Sequence, residues 1–329
     1  MKKFVITFAV LILSALSWAQ NIKQLHGGTG ESLRGLSAVS DKIIWVSGSK
    51  GTVGKSVDGG DTWMWLQVKT FEKIDFRDIE AFDENNAILM GIGSPAYILR
   101  TDDGGKNWKI VYENSDTAMF LDAISFFDHE HGVVVGDPIS GKLFIAQTSD
   151  GRQTWTQKND DKNFKTQEGE ACFASSGSNI VMTSKRSFSG ITGGMVSHFY
   201  NKKRVAILPM QSGKQSTGAN SLAINGKKVM IAGGDFTKKD NNDRIIAFSR
   251  NGGRTFHNLA TQPAGYRSCV VYMQKKSWLT CGLNGVDITN DDGRTWHKIS
   301  EDGFHVASKA KSGSAIFLAG SNGRIAKLN

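Results

Sequence analysis

Apolar residues along this chain fall in short runs of strand length, and the runs come in sets. "LSAVSDKIIWVSG" leads to "GTVGKS", "FRDIEAFDENNAILMGIG" to "YILRT", and "FLDAISFFDHEHGVVVGD" to "LFIAQT". The order returns in "GEACFASSGSNIVMTS" to "MVSHFYN", "GANSLAINGKKVMIAGGD" to "RIIAFS", "YRSCVVYMQKKSWLTCGLNG" to "VDITN", and finally "HVASKAKSGSAIFLAGSNG" to "RIAKLN". Val, Ile, Thr and aromatic residues fill the runs, and turn-forming residues bound them. That pattern predicts short strands joined by tight turns rather than helices. Glycine is abundant at 37 residues and proline scarce at 4, which fits many turns and few breaks inside strands.

An eight-residue motif follows most sets. It begins at Ser56 ("SVDGGDTW"), Thr101 ("TDDGGKNW"), Thr148 ("TSDGRQTW"), Ser249 and Thr289 ("TNDDGRTW"). The spacings of 45, 47, 101 and 40 residues describe one period of 40–50, with a copy lost near residue 199. Strand-rich repeats of that period build propeller blades. Asp58, Asp103, Asp150, Asn251 and Asp291 hold the third position, where a short polar side chain accepts hydrogen bonds from the turn that follows. Glycine comes next where the turn needs positive φ, and Arg152 stands in for it in one copy. Trp63, Trp108, Trp155, Phe256 and Trp296 close the copies and are expected to be buried between blades. Seven sets predict an all-β, seven-bladed propeller over residues 20–329. "NIKQLH" at 21–26 resembles the outer strands "TWHKIS" and "NWKIVY" and is expected to complete the last blade, closing the ring and removing open sheet edges.

Residues 1–19 pair Lys2 and Lys3 with a short apolar core and the small residues Ser17 and Ala19. This reads as a secretory signal peptide cut near Ala19, with an uncleaved anchor as the competing reading. An exported protein, periplasmic or extracellular, is expected. The formal charge of +9 becomes +7 once the two lysines leave. A basic surface outside the cell suits acidic protein segments, glycans or a membrane-associated client, and argues against nucleic acid. No cofactor motif is present: GxGxxG between strand and helix, P-loop and HExxH are all missing. No cysteine or histidine spacing suggests a metal. Cys269 and Cys281 lie on the two arms of one predicted hairpin, so a disulfide and a reduced core pair both remain open, while Cys172 has no evident partner.

The starts of the inner strands should converge on one mouth of the channel. They carry Arg34, Arg77 with Asp78, Asp122, Glu168 with Glu170, Asn220, Tyr266 with Arg267, and His305. Three readings follow from these residues. In the first, Arg34, Arg77 and Arg267 form a face that holds an acidic segment or glycan, with the 235–244 loop beside it, because guanidinium matches carboxylate geometry. In the second, Tyr266 attacks a sugar while Glu170 or Glu168, with Asp78 or Asp122, manages protons, as in a glycoside hydrolase. In the third, the arginines pair internally and stiffen the channel. Asp235, Asp240 and Asp243 are acidic, but their spacing matches no calcium loop.

The octets resemble the Asp-box of the BNR repeat family, which sialidases, sortilin-type receptors and assembly factors share. The tyrosine–arginine–carboxylate set resembles a sialidase site, although an "Arg-Ile-Pro" element is missing and sialidases have six blades. The whole-chain pattern resembles the photosystem II stability/assembly factor family. That resemblance implies an exported, non-catalytic propeller that uses an arginine-rich face to hold a partner during assembly. No cofactor is expected, and a monomer is expected because a closed ring needs no partner to hide its edges.

Overall fold

The computed structural model describes residues 20–158 and 164–329. The proposed signal peptide at 1–19 lies outside the described residues. Seven four-stranded antiparallel sheets follow one another around a ring. Their inner strands are Leu33–Ala38 (blade 1), Phe76–Ala81 (2), Leu121–Phe126 (3), Ile180–Ser184 (4), Ala219–Asn225 (5), Cys269–Gln274 (6) and Val306–Lys309 (7). Each inner strand contacts the next, and blade 7 contacts blade 1. Ile22–Leu25 pairs antiparallel with Ile325–Leu328, from Ile22 opposite Leu328 to Leu25 opposite Ile325. The N-terminal strand thus completes blade 7, as expected.

The octets lock the hairpins between third and fourth strands. In the first, Asp58 accepts from the Thr62 amide at 3.0 Å and the Ser56 hydroxyl at 2.8 Å, while Ser56 Oγ accepts from the Gly60 amide at 2.9 Å. The same three bonds recur at Thr101, Asp103, Gly105 and Asn107, and at Thr289, Asp291, Gly293 and Thr295. The leading Ser or Thr is therefore as much part of the device as the acid. Hydrogen bonds from Thr62 hold the Asp58 carboxyl down at about 2, and those from Asn107 do the same for Asp103. The closing aromatics are half-buried rather than buried. Two of them meet a ring of the preceding blade: Trp108 meets Trp45 edge-on at 6.4 Å, and Phe256 meets Phe199 at 5.1 Å. In the degenerate copy Arg152 adopts φ +75 and lays its guanidinium 4.2 Å from the Phe82 ring. Where blade 4 lacks an octet, a tight turn joins Asn201 to its pair Arg204, and Phe127 of blade 3, the counterpart of Phe82, stays 48% exposed.

An inner strand pairs on one side only, so amides on its free edge need acceptors elsewhere. Each junction supplies one from the preceding blade. Ala81 N donates to Ser37 Oγ at 3.0 Å, Ile124 N to Asp78 Oδ2 at 2.8 Å, and Met182 N to Ser125 Oγ at 3.0 Å. Leu222 N donates to Ser178 O at 2.8 Å, Val270 N to Ser221 Oγ at 2.9 Å, Ala307 N to Cys269 Sγ at 3.4 Å, and Ala38 N to Ser308 Oγ at 3.2 Å. Seven junctions carry seven bonds, a closed circuit around the channel.

Blade 4 departs from expectation. Its first two strands are Ile180–Ser184 and Ser187–Ile191, turned by Lys185 and Arg186. The earlier segment, read as the inner strand, instead pairs Glu170–Ala171 with Gly193–Gly194. The residues between, 173–178, enter the channel. Ser175 O accepts from Arg34 Nη1 of blade 1 at 3.4 Å, and Ser175 Oγ donates to Asn220 Oδ1 of blade 5 at 3.1 Å. Ser176 Oγ donates to Ser268 O of blade 6 at 2.8 Å. Gly177, at φ +65, is packed so tightly that a Cβ there would lie 2.3 Å from the Asp78 carboxyl of blade 2. This segment plugs the channel.

Candidate functional site

Above the plug lies a cavity of about 420 Å³, within the usual range for ligand pockets. Arg34, Arg77, Asp137, Asn220, Tyr266 and His305 give it polar walls, while Phe120, Phe173, Phe236 and Leu283 give it an apolar rim. Phe236 (42% exposed) comes from the 235–244 loop and meets Phe173 edge-on at 5.7 Å. The loop is anchored: Tyr266 N donates to Lys239 O at 2.9 Å, Asn284 Nδ2 to Asp240 Oδ1 at 2.9 Å, and the Thr237 amide to Asp235 Oδ1 at 3.0 Å. No group of three or more His, Cys, Asp or Glu is placed to hold a metal among the described residues.

Two of the three arginines reach the mouth. Arg34 is mostly buried. Burial first, and the neighbouring charge of Arg77 second, lower its pKa, yet a guanidinium stays protonated at any ordinary pH. Arg77 donates Nε to Asp75 Oδ2 at 2.8 Å, with both side chains partly exposed. Arg267 does not line the cavity. It is fully buried, with Asp287 taking Nε at 2.9 Å and also Nη2, Tyr266 O taking Nη1 at 2.8 Å, and Asn284 Oδ1 taking Nη1 at 2.6 Å. Its donors are spent within blade 6, so the expected three-arginine face is a pair.

The residues named for catalysis are not brought together. Tyr266 lines the mouth, but its hydroxyl donates to Asn220 Oδ1 at 2.9 Å and burial raises its pKa. Glu170 sits inside blade 4. It accepts from Tyr200 OH at 2.5 Å and from the Thr192 hydroxyl, lies 3.0 Å from His198 Nδ1, and accepts the Gln167 amide at 2.8 Å. Burial works to raise its pKa, but these bonds outweigh burial and leave it lowered. Glu168 is exposed and off the cavity. Asp78 spends its oxygens on the amides of Ile79 and Ile124, at 2.9 and 2.8 Å. A tyrosine nucleophile needs a base within hydrogen-bond reach and an acid at the same bond, and of the named residues only Tyr266 lines the cavity.

Asp122 is fully buried. Its oxygens have no partner of good geometry, although the amides of Ala174 and Asp137 face it. Burial, then Asp137, push its pKa well up, against the pull of Arg77. His305 lies 2.8 Å through Nε2 from Ser321 Oγ, and its buried Nδ1 has no protein partner. Burial and the charges of Arg34, Arg77 and Arg324 lower its pKa to about 3, so it is neutral at physiological pH. Cys269 and Cys281 are opposite one another, as expected, but both are free thiols, as is Cys172. Cys269 Sγ takes the amide of Ala307 instead. Asp137, Phe173, Phe236 and the plug escaped sequence reasoning. Phe236 alone left a signal, as the aromatic in the longest polar insertion.

This architecture is a seven-bladed Asp-box β-propeller with a plugged channel and a cationic, aromatic-rimmed mouth. Residues 16–118 match the family model described as photosynthesis system II assembly factor YCF48. The structure of YCF48 bound to D1 peptide is similar over 94% of this chain and 96% of that one, at 16% identity and a TM-score of 0.64. YCF48 from Cyanidioschyzon merolae is similar over 94% and 99%, at 16% identity and a TM-score of 0.63. The WD40 β-propeller domain of Doa1 is similar over 95% and 97%, at 13% identity and a TM-score of 0.65. At such identities the structural likeness is one of fold. No curated protein sequence matches. The resemblance to the assembly-factor family is carried by the family model over residues 16–118, and the solved structures show the propeller fold over nearly the whole chain.

Proposed function

We propose that this protein is an exported, non-catalytic scaffold whose channel mouth holds a segment of a partner protein, as an assembly factor does. One observation carries the reading. Arg34 lies in a ligand-sized cavity with a single long hydrogen bond to Ser175 O, and exposed apolar side chains ring that cavity. A guanidinium desolvated this far, with so little to bind, is poised for a carboxylate. The aromatic rim supplies apolar area without loss of much side-chain freedom. The family match and the peptide-bound structure of YCF48 support a protein partner over a sugar.

The test uses protein lacking residues 1–19, displayed against a peptide library in which acidic and neutral segments are equally represented. Segments with a carboxylate beside an aromatic or aliphatic side chain should be enriched, and the double substitution Arg34→Ala, Arg77→Ala should abolish the enrichment. Enrichment indifferent to that substitution would place binding elsewhere. Turnover of a fluorogenic glycoside panel by the same protein, lost in Tyr266→Phe, would replace the scaffold with an enzyme.

A further inference from the structure

The cavity holds charge of both signs, and the two signs do not neutralise each other. Asp137, near the end of the second strand of blade 3 (Gly132–Ile139), lines the same cavity as Arg34 of blade 1 and Arg77 of blade 2. One of its oxygens accepts from the Cys172 amide at 2.9 Å. Among the described residues no lysine, arginine or histidine forms an ion pair with Asp137, and no carboxylate forms one with Arg34. Burial raises the pKa of Asp137, the mark of a carboxylate stripped of water without a cation in return. The neutral imidazole of His305 stands in the same wall with Nδ1 unpartnered. In a cavity that only attracted acids the charge of Asp137 would be a liability, and a neutral acceptor would serve the Cys172 amide as well.

We propose that the segment held here is dipolar. A carboxylate sits on Arg34 and Arg77, an ammonium or guanidinium sits on Asp137, and an apolar or aromatic side chain between them lies against Phe120, Phe173 and Phe236. The inference rests on the reading of the mouth as a segment-binding site and deepens it. Arg34, Arg77 and Asp137 stand on three successive blades, so the two charges of the ligand approach from neighbouring sectors of the ring. Removing either uncompensated charge from water is costly, and a ligand carrying both signs offsets both costs at once. A purely acidic segment would offset one of them and face repulsion from the other. Discrimination by charge order follows, because a partner with two acids fails even if its affinity for Arg34 is intact.

Three blocked, fluorescein-labelled peptides test this by anisotropy: Gly-Glu-Phe-Lys-Gly, Gly-Glu-Phe-Gln-Gly and Gly-Glu-Phe-Glu-Gly. The lysine peptide should bind wild-type protein about tenfold more tightly than the glutamine peptide, and the second glutamate should weaken binding further, as expected for one charge-assisted contact. Asp137→Asn keeps the acceptor for the Cys172 amide, so a melting curve should find it folded. It should erase the preference for lysine: the lysine peptide loses its partner, while the glutamine peptide, whose glutamate no longer meets an opposing carboxylate, binds at least as tightly as to wild type. Arg34→Ala should weaken all three. Equal binding of the lysine and glutamine peptides to wild type, or equal effects of Asp137→Asn on both, overturns the dipolar ligand while the segment-binding reading stands. No binding by any peptide up to about 1 mM, a threshold near −4 kcal/mol, overturns both.

Discussion

Removing one serine bolt between two blades should destabilise the whole ring. Ser37→Ala takes the acceptor from the Ala81 amide, now met at 3.0 Å, in a place where Ala81 is fully buried and Ser37 nearly so. A buried donor left without a partner costs about 1–3 kcal/mol. Ser125→Ala does the same to Met182 N, and Ser221→Ala to Val270 N. Ser221 should sit at the upper end, because its hydroxyl also bonds Ser178 Oγ at 2.6 Å and so helps hold the plug. Ser37 and Ser221 bridge different blade pairs and share no partner, so their double variant should lose about 2–6 kcal/mol, close to the sum of the singles. Urea unfolding followed by tryptophan fluorescence measures this as a shift in midpoint at constant slope. The exposed Ser312, substituted the same way, serves as a reference expected to stay within about 0.5 kcal/mol. If Ser37→Ala and Ser221→Ala fall in that reference range, the circuit contributes nothing and the inner strands are held by packing alone.

Two buried acids and the buried thiols make three further predictions. Asp122 has a raised folded pKa, so the folded state binds its proton more tightly. Wild-type stability should therefore decline as pH rises from about 4 toward that higher value, and Asp122→Asn should flatten the decline and melt higher at pH 7. Glu170 has a lowered folded pKa, so its contribution is present above about 4.3 and lost as pH falls through the lower value. Glu170→Gln should cost about 3 kcal/mol at pH 7 and remove that acid-side loss, without changing peptide binding at the mouth. Alkylation in denaturant without reductant should count three thiols. A count of one, with Cys269 and Cys281 joined, would mean that Cys269 has given up the Ala307 amide.

The fold was legible because its determinants are local and repeated. The octet is a turn whose hydrogen bonds lie within a few residues, and the strand runs differ enough from turns to be counted. Even the closure could be read, because "NIKQLH" at 21–26 resembles the outer strands "TWHKIS" and "NWKIVY". Blade 4 was misread for the same reason. Lys185 and Arg186 make a turn with no glycine or asparagine to announce it, while "SSGS" at 175–178 has the composition of a hairpin turn and is instead the plug, held by contacts to blades 1, 2, 5 and 6. No local pattern encodes contacts to four distant strands.

The site was legible only in its address. Placing polar residues at the inner-strand starts rightly marks which segments converge, but it is blind to what each side chain finds on arrival. Arg34 and Arg267 both lie near the starts of their inner strands but one residue out of step: Leu33 N donates to Gly320 O as Arg267 N does to Gly233 O, so Arg267 holds the place of the buried Leu33 and Ser268 that of Arg34. Blade 6 carries Asp287 on its third strand, within reach of Arg267, while the corresponding strand of blade 1, Thr52–Ser56, carries no acid. Turned inward at that place, Arg267 is consumed as a strut by Asp287, while Arg34, one place further along its strand, faces the cavity. The same logic separates Asp78 from Asp137. Asp78 lies within the inner strand, where a free-edge amide of blade 3 claims it, whereas Asp137 lies just past the last pair with the inner strand, Leu121 opposite Gly136, at the bulge between Gly136 and Pro138. On the proposed reading, ligand binding in this ring falls to the charged residues that the repeat does not claim for its own bonding, so the bolts must be subtracted before the ligands are counted.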